Sequence, residues 1–370
     1  MSVATVGLTT TTADRRRRAG QRLMIGLGGP SISGEERALI REIQPCGFIL
    51  FARNVEEPAQ LRELNRELRS LVDPRFPALC AVDQEGGRVQ RIREPATVWP
   101  PMRWLGNASR PTLTTDVAAA MARELRAMEF DLDFAPVADV NSNPQNPVIG
   151  DRAFGSTAET VCAQVSAFIP AMHAEGIIAC AKHFPGHGDT RVDSDLDLPT
   201  VEEDPDKLME REVAPFVAAI AAGVGMVMTA HVIYPAWDEQ NPATMSERIL
   251  RGLLRQRLGF GGVIVSDDLE MKAVRGRFPL EMQLQRASNA TVDLFLACKT
   301  PELQHEAYEL LIRLQEEDRR QDDLAVDAVR RIHTLRERFL RDRPPALGLE
   351  VLGLAAHRDR AMQMRVEGAE

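Results

Sequence analysis

Five stretches of this 370-residue chain place ionisable groups directly after a short apolar run. One run ends in Asp83-Gln84-Glu85-Gly86-Gly87-Arg88, and a second ends at Asp139 with Asn141 just beyond. A third delivers Lys182-His183, a fourth His231, and a fifth Ser266-Asp267-Asp268. For any single member, Asp139 or His231 for instance, a buried structural ion pair is an equal explanation. Five together make a site. Metal chemistry is the first test. His183 and His187 stand four apart, like a helical zinc pair, but Pro185 and Gly186 between them break a helix. No H-E-x-x-H is present, so metal-dependent hydrolysis stays the weaker alternative, and no metal or other cofactor is expected. Gly26, Gly28 and Gly29 follow an apolar run without phosphate-loop spacing, and a G-x-S-x-G nucleophile elbow is missing. Carboxylates remain. A pair of them suits glycosidic bond cleavage, one attacking the anomeric carbon while a second group protonates the leaving oxygen.

These residues need a frame that brings them together. Eight runs rich in Val, Ile, Leu and Phe begin near Arg22, Gly47, Ala78, Phe130, Ile177, Gly225, Gly262 and Asp293. Each is nearly continuously apolar, as strands buried on both faces must be. Between them lie segments of helical period, such as GEERALIREI, PAQLRELNRELRSL and SERILRGLLRQRLG, the last opened by Ser246 and closed by Gly259. Strand then helix, eight times, predicts a TIM-type (β/α)₈ barrel in a single domain over residues 20–342, ending in a long helix near Leu324. A doubly wound sheet is the alternative. Residues 1–19 are expected to form a flexible tail, the RRRR run at 15–18 included. Residues 343–370 are expected to form a C-terminal tail that packs outside the barrel or moves freely.

Composition narrows the partners. With 45 Lys and Arg against 54 Asp and Glu, the net charge is −9, which lacks the basic footprint of a nucleic-acid binder. No apolar stretch is long enough to span a membrane, and the Thr-rich N-terminus has no secretory apolar core. The five cysteines are far apart without a CxxC, and Cys80, Cys180 and Cys298 lie in apolar runs. They are expected to be reduced core residues of a cytoplasmic protein with no obligate protein partner.

Four motifs carry a family resemblance: AVDQEGGRVQRI (81–92), IGDRAFG (149–155), KHFPGHGDT (182–190) with VDS after it, and VIVSDDLEM (263–271). Together they resemble glycoside hydrolase family 3, in the NagZ-type branch of bacterial β-N-acetylglucosaminidases that recycle peptidoglycan. The resemblance covers about residues 20 to 300 and implies a TIM barrel standing without the second domain of larger relatives. It implies a retaining mechanism in which Asp267 is the nucleophile. It also implies that Asp83, Arg91, Arg152, Lys182 and His183 hold an N-acetylglucosamine ring, and that the partner is an N-acetylglucosamine-containing saccharide.

One position departs from the pattern. The branch carries Asp-Ser-His after KHFPGHG, the His acting as acid/base with the Asp orienting it, whereas this chain reads Asp193-Ser194-Asp195. Three readings stay open. Asp195 is itself the acid/base, with a pKa raised by Asp193 or by burial. Alternatively His187 or another group takes the role. In the third reading the acid step is crippled, leaving an enzyme for good leaving groups only or a sugar-binding protein. An ionised Asp195 would repel phosphate, so hydrolysis is expected over phosphorolysis.

Overall fold

Each of the eight apolar runs contains a strand, and the computed structural model, which describes residues 11–190 and 198–369, joins them into one closed parallel barrel. In chain order they are β1 (Leu23–Gly26), β2 (Gly47–Leu50), β3 (Leu79–Val82), β4 (Leu132–Asp133), β5 (Ile178–Phe184), β6 (Met226–Thr229), β7 (Val263–Asp268) and β8 (Leu294–Ala297). Sequence neighbours pair throughout, from Ile25 opposite Phe48 to Leu294 opposite Val265, and β8 closes on β1 with Phe295 opposite Leu23.

The strands are apolar throughout because both of their faces are buried. Met24, Ile49, Leu79, Leu132, Ile178, Met226, Val263 and Leu294 fill the lumen. Leu23, Phe48, Cys80, Ala179, Val227, Ile264 and Phe295 meet the surrounding helices instead. Period-two alternation thus divides one apolar run between two cores.

The bottom of the lumen is stopped by the helix Arg319–Leu340, whose Ile332 and Leu335 join the lumen cluster with Phe339 packed beside them. At Gly225, just before β6, a side chain would collide with Leu335 and Phe339. Truncating this stopper with Ile332→Ala should cost about 2–5 kcal/mol through a cavity that the barrel cannot close. Denaturant unfolding measures this, and a loss below about 1 kcal/mol would show that the lumen repacks. Around the same end, arginines satisfy strand-end carboxylates: Arg255 and Arg331 bind Asp293 at 2.6 and 2.9 Å, and Arg69 binds Asp131 at 2.7 Å.

One expectation about the ends needs correction. Thr12–Gln21 is a helix with a capping box between Thr11 and Asp14, so residues 11–19 are not a flexible tail. Its arginines are engaged: Arg18 is buried against Gln315 and Asp322, Arg15 lies 3.6 Å from Asp322, and Arg16 pairs with Glu309 at 3.3 Å. At the other end, residues 343–369 pack on the outside of the barrel and include an unforeseen helix, Ala355–Gly368, against the helices Arg103–Ala108 and Pro111–Ala127. Cys80, Cys180 and Cys298 are free and buried, as is Cys46. Among the described residues no helix is long and apolar enough to cross a membrane.

Candidate active site

The C-terminal ends of the strands surround a cavity of about 390 Å³. Asp83, Arg91, Arg152, Lys182, His183 and Asp267 all line it. Asp193 and Asp195, the expected acid/base pair, lie outside the described residues.

Asp83 and Glu85 follow β3 at positions i and i+2, so an extended chain turns both to the same side. Lys182 reaches both, at 2.8 Å from Asp83 Oδ1 and 2.6 Å from Glu85 Oε1. Arg152, from the turn Gly150–Arg152, grips Glu85 with Nε and Nη2 at 2.8 and 2.9 Å. Arg91 stands 3.6 Å from the second oxygen of Asp83. Burial alone would raise the Glu85 carboxyl, but Arg152 and Lys182 overcome it and hold the group far below the carboxylate range. Lys182 is held charged in return by Asp83 and Glu85 against its own burial. Glu85 is thus the hub of the wall, a role missed among the candidate residues. The i, i+2 spacing from Asp83 was the available signal.

In a regular strand, Lys182 and His183 would face opposite ways. The register of β5 against β6 shifts between Ala181 and Phe184, and both side chains line the cavity. Asp139, wholly buried, takes His183 Nδ1 at 2.7 Å and the His187 backbone N–H at 2.6 Å. The carboxylate therefore fixes the His183 ring. The stem after His183 is tied to the loop after β4: Asn146 donates to the His187 carbonyl at 2.9 Å, and Asn143 donates to the Thr190 carbonyl at 3.3 Å. His187 lines the cavity with Nδ1 2.8 Å from Thr190 Oγ1. Burial and the neighbouring His183 push its pKa down to about 4, so it is neutral near pH 7 and a poor proton donor.

Asp267 ends β7. Burial would raise its carboxyl, but His183, His231, the backbone N–H of Asp268 and Lys182 outweigh this and hold it below the usual range. The next residue is its opposite. Burial and the charges of Glu270 and Asp267 lift Asp268 to about 6, while its Oδ1 accepts N–H bonds from Glu270 and Cys298. Two adjacent carboxyls, both lining the cavity, are thereby driven apart, Asp267 held ionised and Asp268 tied to backbone through Oδ1. His231 supports the corner, with Nε2 donating to the Asp268 carbonyl at 3.1 Å and Nδ1 against Thr244.

Among the described residues, one trio could present three ligand atoms to a metal ion: Glu42, His305 and Glu309, all exposed and none lining this cavity. Of the imidazoles that line the cavity, His183 is held through Nδ1 by Asp139 and His187 meets Thr190 through Nδ1. What the cavity offers is an ionised carboxylate amid cations and hydrogen-bonding groups, suited to a polyhydroxylated ligand and a carbon centre that becomes positive.

A parallel barrel with this mouth has the layout of a glycosidase. Residues 16–335 match the family described as glycosyl hydrolase family 3 N terminal domain, and the chain belongs to that family. It is a glycosidase of family 3. A Beta-hexosaminidase of Nitrosomonas eutropha is 37% identical over 333 residues, covering 86% of this chain and 94% of the relative. One from Pseudomonas aeruginosa is 40% identical over 277 residues, covering 75% and 82%. Among solved structures, a family 3 beta-N-acetylglucosaminidase from Paenibacillus superposes with a TM-score of 0.89 at 37% identity, covering 95% of this chain and 68% of that one. NagZ from Neisseria gonorrhoeae in complex with N-trifluoroacetyl-D-glucosamine gives 0.76 at 30%, covering 94% and 98%.

Proposed function

We propose that this glycosidase is an exo-acting β-N-acetylglucosaminidase. It removes terminal β-linked N-acetylglucosamine with retention, through a glycosyl-enzyme intermediate on Asp267. The observation that carries this reading is Asp267 at the end of β7, lining the cavity and held ionised beside His183, His231 and Lys182, whereas Asp83 and Glu85 are engaged by Lys182, Arg91 and Arg152. The relatives named beta-hexosaminidase and the neighbour solved with an N-acylglucosamine support the sugar.

In this mechanism Asp83 accepts hydrogen bonds from two ring hydroxyls, and Arg91, Arg152, Lys182 and His183 fix the ring beneath the nucleophile. Asp195, oriented by Asp193, protonates the leaving oxygen and then activates water rather than phosphate. The natural substrates are peptidoglycan-derived disaccharides, met in the cytoplasm, and no cofactor takes part.

Two substrates test the assignment. A dinitrophenyl β-N-acetylglucosaminide has a leaving group that needs no proton, whereas N-acetylglucosaminyl-1,6-anhydro-muramic acid needs one. Comparable kcat/KM on both is expected. Turnover of the activated glycoside alone would mean that the acid step is impaired, and turnover of neither would mean a binding protein or another sugar. Mass spectrometry of enzyme quenched with a slow fluorinated glycoside should find the sugar on the peptide carrying Asp267. An unlabelled peptide under turnover would instead favour attack by the substrate's own acetamide.

A further inference from the structure

Glu124 lies in the helix Pro111–Ala127, is 3% exposed, and takes no part in the mechanism above. Its carboxyl group accepts four hydrogen bonds, from the Thr97 N–H at 2.9 Å, the Thr97 hydroxyl at 2.7 Å, the Gly353 N–H at 2.8 Å and His357 Nδ1 at 2.9 Å. Three segments distant in sequence therefore meet on one buried side chain: the helix, the loop after β3, and the C-terminal segment. The fit is close. Gly353 has φ +58, and a Cβ there would lie 2.3 Å from the Pro95 carbonyl of the same loop.

From Thr97 the connection runs to the cavity. Gln90 donates to the Thr97 carbonyl at 2.8 Å and accepts from the Trp99 N–H at 3.0 Å. Gln84 accepts from the backbone N–H of Arg91 at 3.0 Å and of Ile92 at 3.1 Å. These two glutamines make residues 84–99 one cross-braced unit, which carries Glu85 and Arg91 on its cavity side. The C-terminal segment is stitched to the helix Pro111–Ala127, to the residue before β4 and to the helix Arg103–Ala108. Arg126 donates to the Pro344 carbonyl at 3.2 Å, Arg343 pairs with Asp131 at the barrel's bottom, and Asn107 donates to the Gly368 carbonyl at 2.9 Å. The C-terminal segment itself lies beyond residue 335, where the family match ends.

We propose that residues 343–369 act as a strap that sets the sugar-binding loop, with Glu124 and His357 as positioning residues that hold Thr97 and so place Arg91 at the cavity. This rests on the reading of Arg91 as a substrate-holding residue. Steady-state kinetics of the full chain on an aryl β-N-acetylglucosaminide test it with Glu124→Ala, His357→Ala, Arg91→Ala and the Glu124→Ala/Arg91→Ala double variant. Glu124→Ala should raise KM about tenfold with kcat within about twofold, and the double variant should be no worse than Arg91→Ala, because both remove the same contact. His357→Ala leaves three of the four donors in place and should raise KM about threefold, which keeps the test decisive should Glu124→Ala not fold. A lowered melting temperature with wild-type KM in these variants would make the contact merely structural and overturn the strap. Additive effects in the double variant would do the same. If Arg91→Ala itself keeps the wild-type KM, the reading of Arg91 has failed. If Arg91→Ala raises KM and Glu124→Ala does not, the strap alone has failed.

Discussion

Asp267→Asn should lower kcat/KM on the activated glycoside by about 10⁴-fold or more, while binding of free N-acetylglucosamine persists. The change replaces one oxygen by nitrogen at nearly constant volume, and the amide oxygen can still accept the Asp268 N–H that Asp267 Oδ1 takes at 2.8 Å. What disappears is the nucleophile and the negative charge facing His183, His231 and Lys182. Calorimetric titration with the sugar checks that the cavity is intact. A variant retaining a tenth of wild-type activity would remove Asp267 from the role. The surroundings of Asp267 also bear on the pH profile. Because the Asp267 carboxyl lies below the usual value, the acid limb of wild-type kcat/KM on the activated substrate should fall below about pH 4.

Glu85→Gln should destabilise the fold by about 3–5 kcal/mol, since it strands Arg152 and leaves Lys182 half-paired inside the wall. The side chains concerned are 1, 11 and 3% exposed, so water cannot take over the lost interaction. Urea unfolding at several pH values measures the effect. In the wild type, the Glu85 pKa is depressed on folding, so its contribution is fully present above the unfolded value of about 4.3 and is lost as pH falls through the folded one. Lys182 is raised on folding, so its contribution is full below about 10.4 and is lost as pH rises beyond that. The difference between wild type and variant should therefore be flat between those limits and shrink at acid pH. A difference of less than about 1 kcal/mol at pH 7 would show that the wall tolerates an unpaired cation.

The barrel was legible because burial on both faces writes each strand as an unbroken apolar run. All eight strands lie within the runs assigned to them, and GEERALIREI is the helix Gly34–Ile43 to the residue. The misses were segments whose order comes from distant partners. Thr12–Gln21 reads as a basic tail until Gln315 and Asp322 are brought against it from some 300 residues away. The helix Ala355–Gly368 has no strong apolar stripe and owes its place to Glu124, Asn107 and Trp104. At the site, residue types after strand ends sufficed to gather Asp83, Lys182, His183 and Asp267. The family resemblance was needed for Arg91 and Arg152, which arrive from loops. Asp139 as the orienter of His183, and Glu85 as the hub of the wall, are pairings that a linear chain does not display.

The stem His183–Thr190 is fastened to the loop after β4 by its own backbone, through Asn143, Asn146 and Asp139. None of those bonds uses a side chain between 191 and 197. On the role proposed above for Asp195, a single codon change there trades one kind of proton donor for another and leaves those bonds in place, a route by which a lineage can retune its working pH.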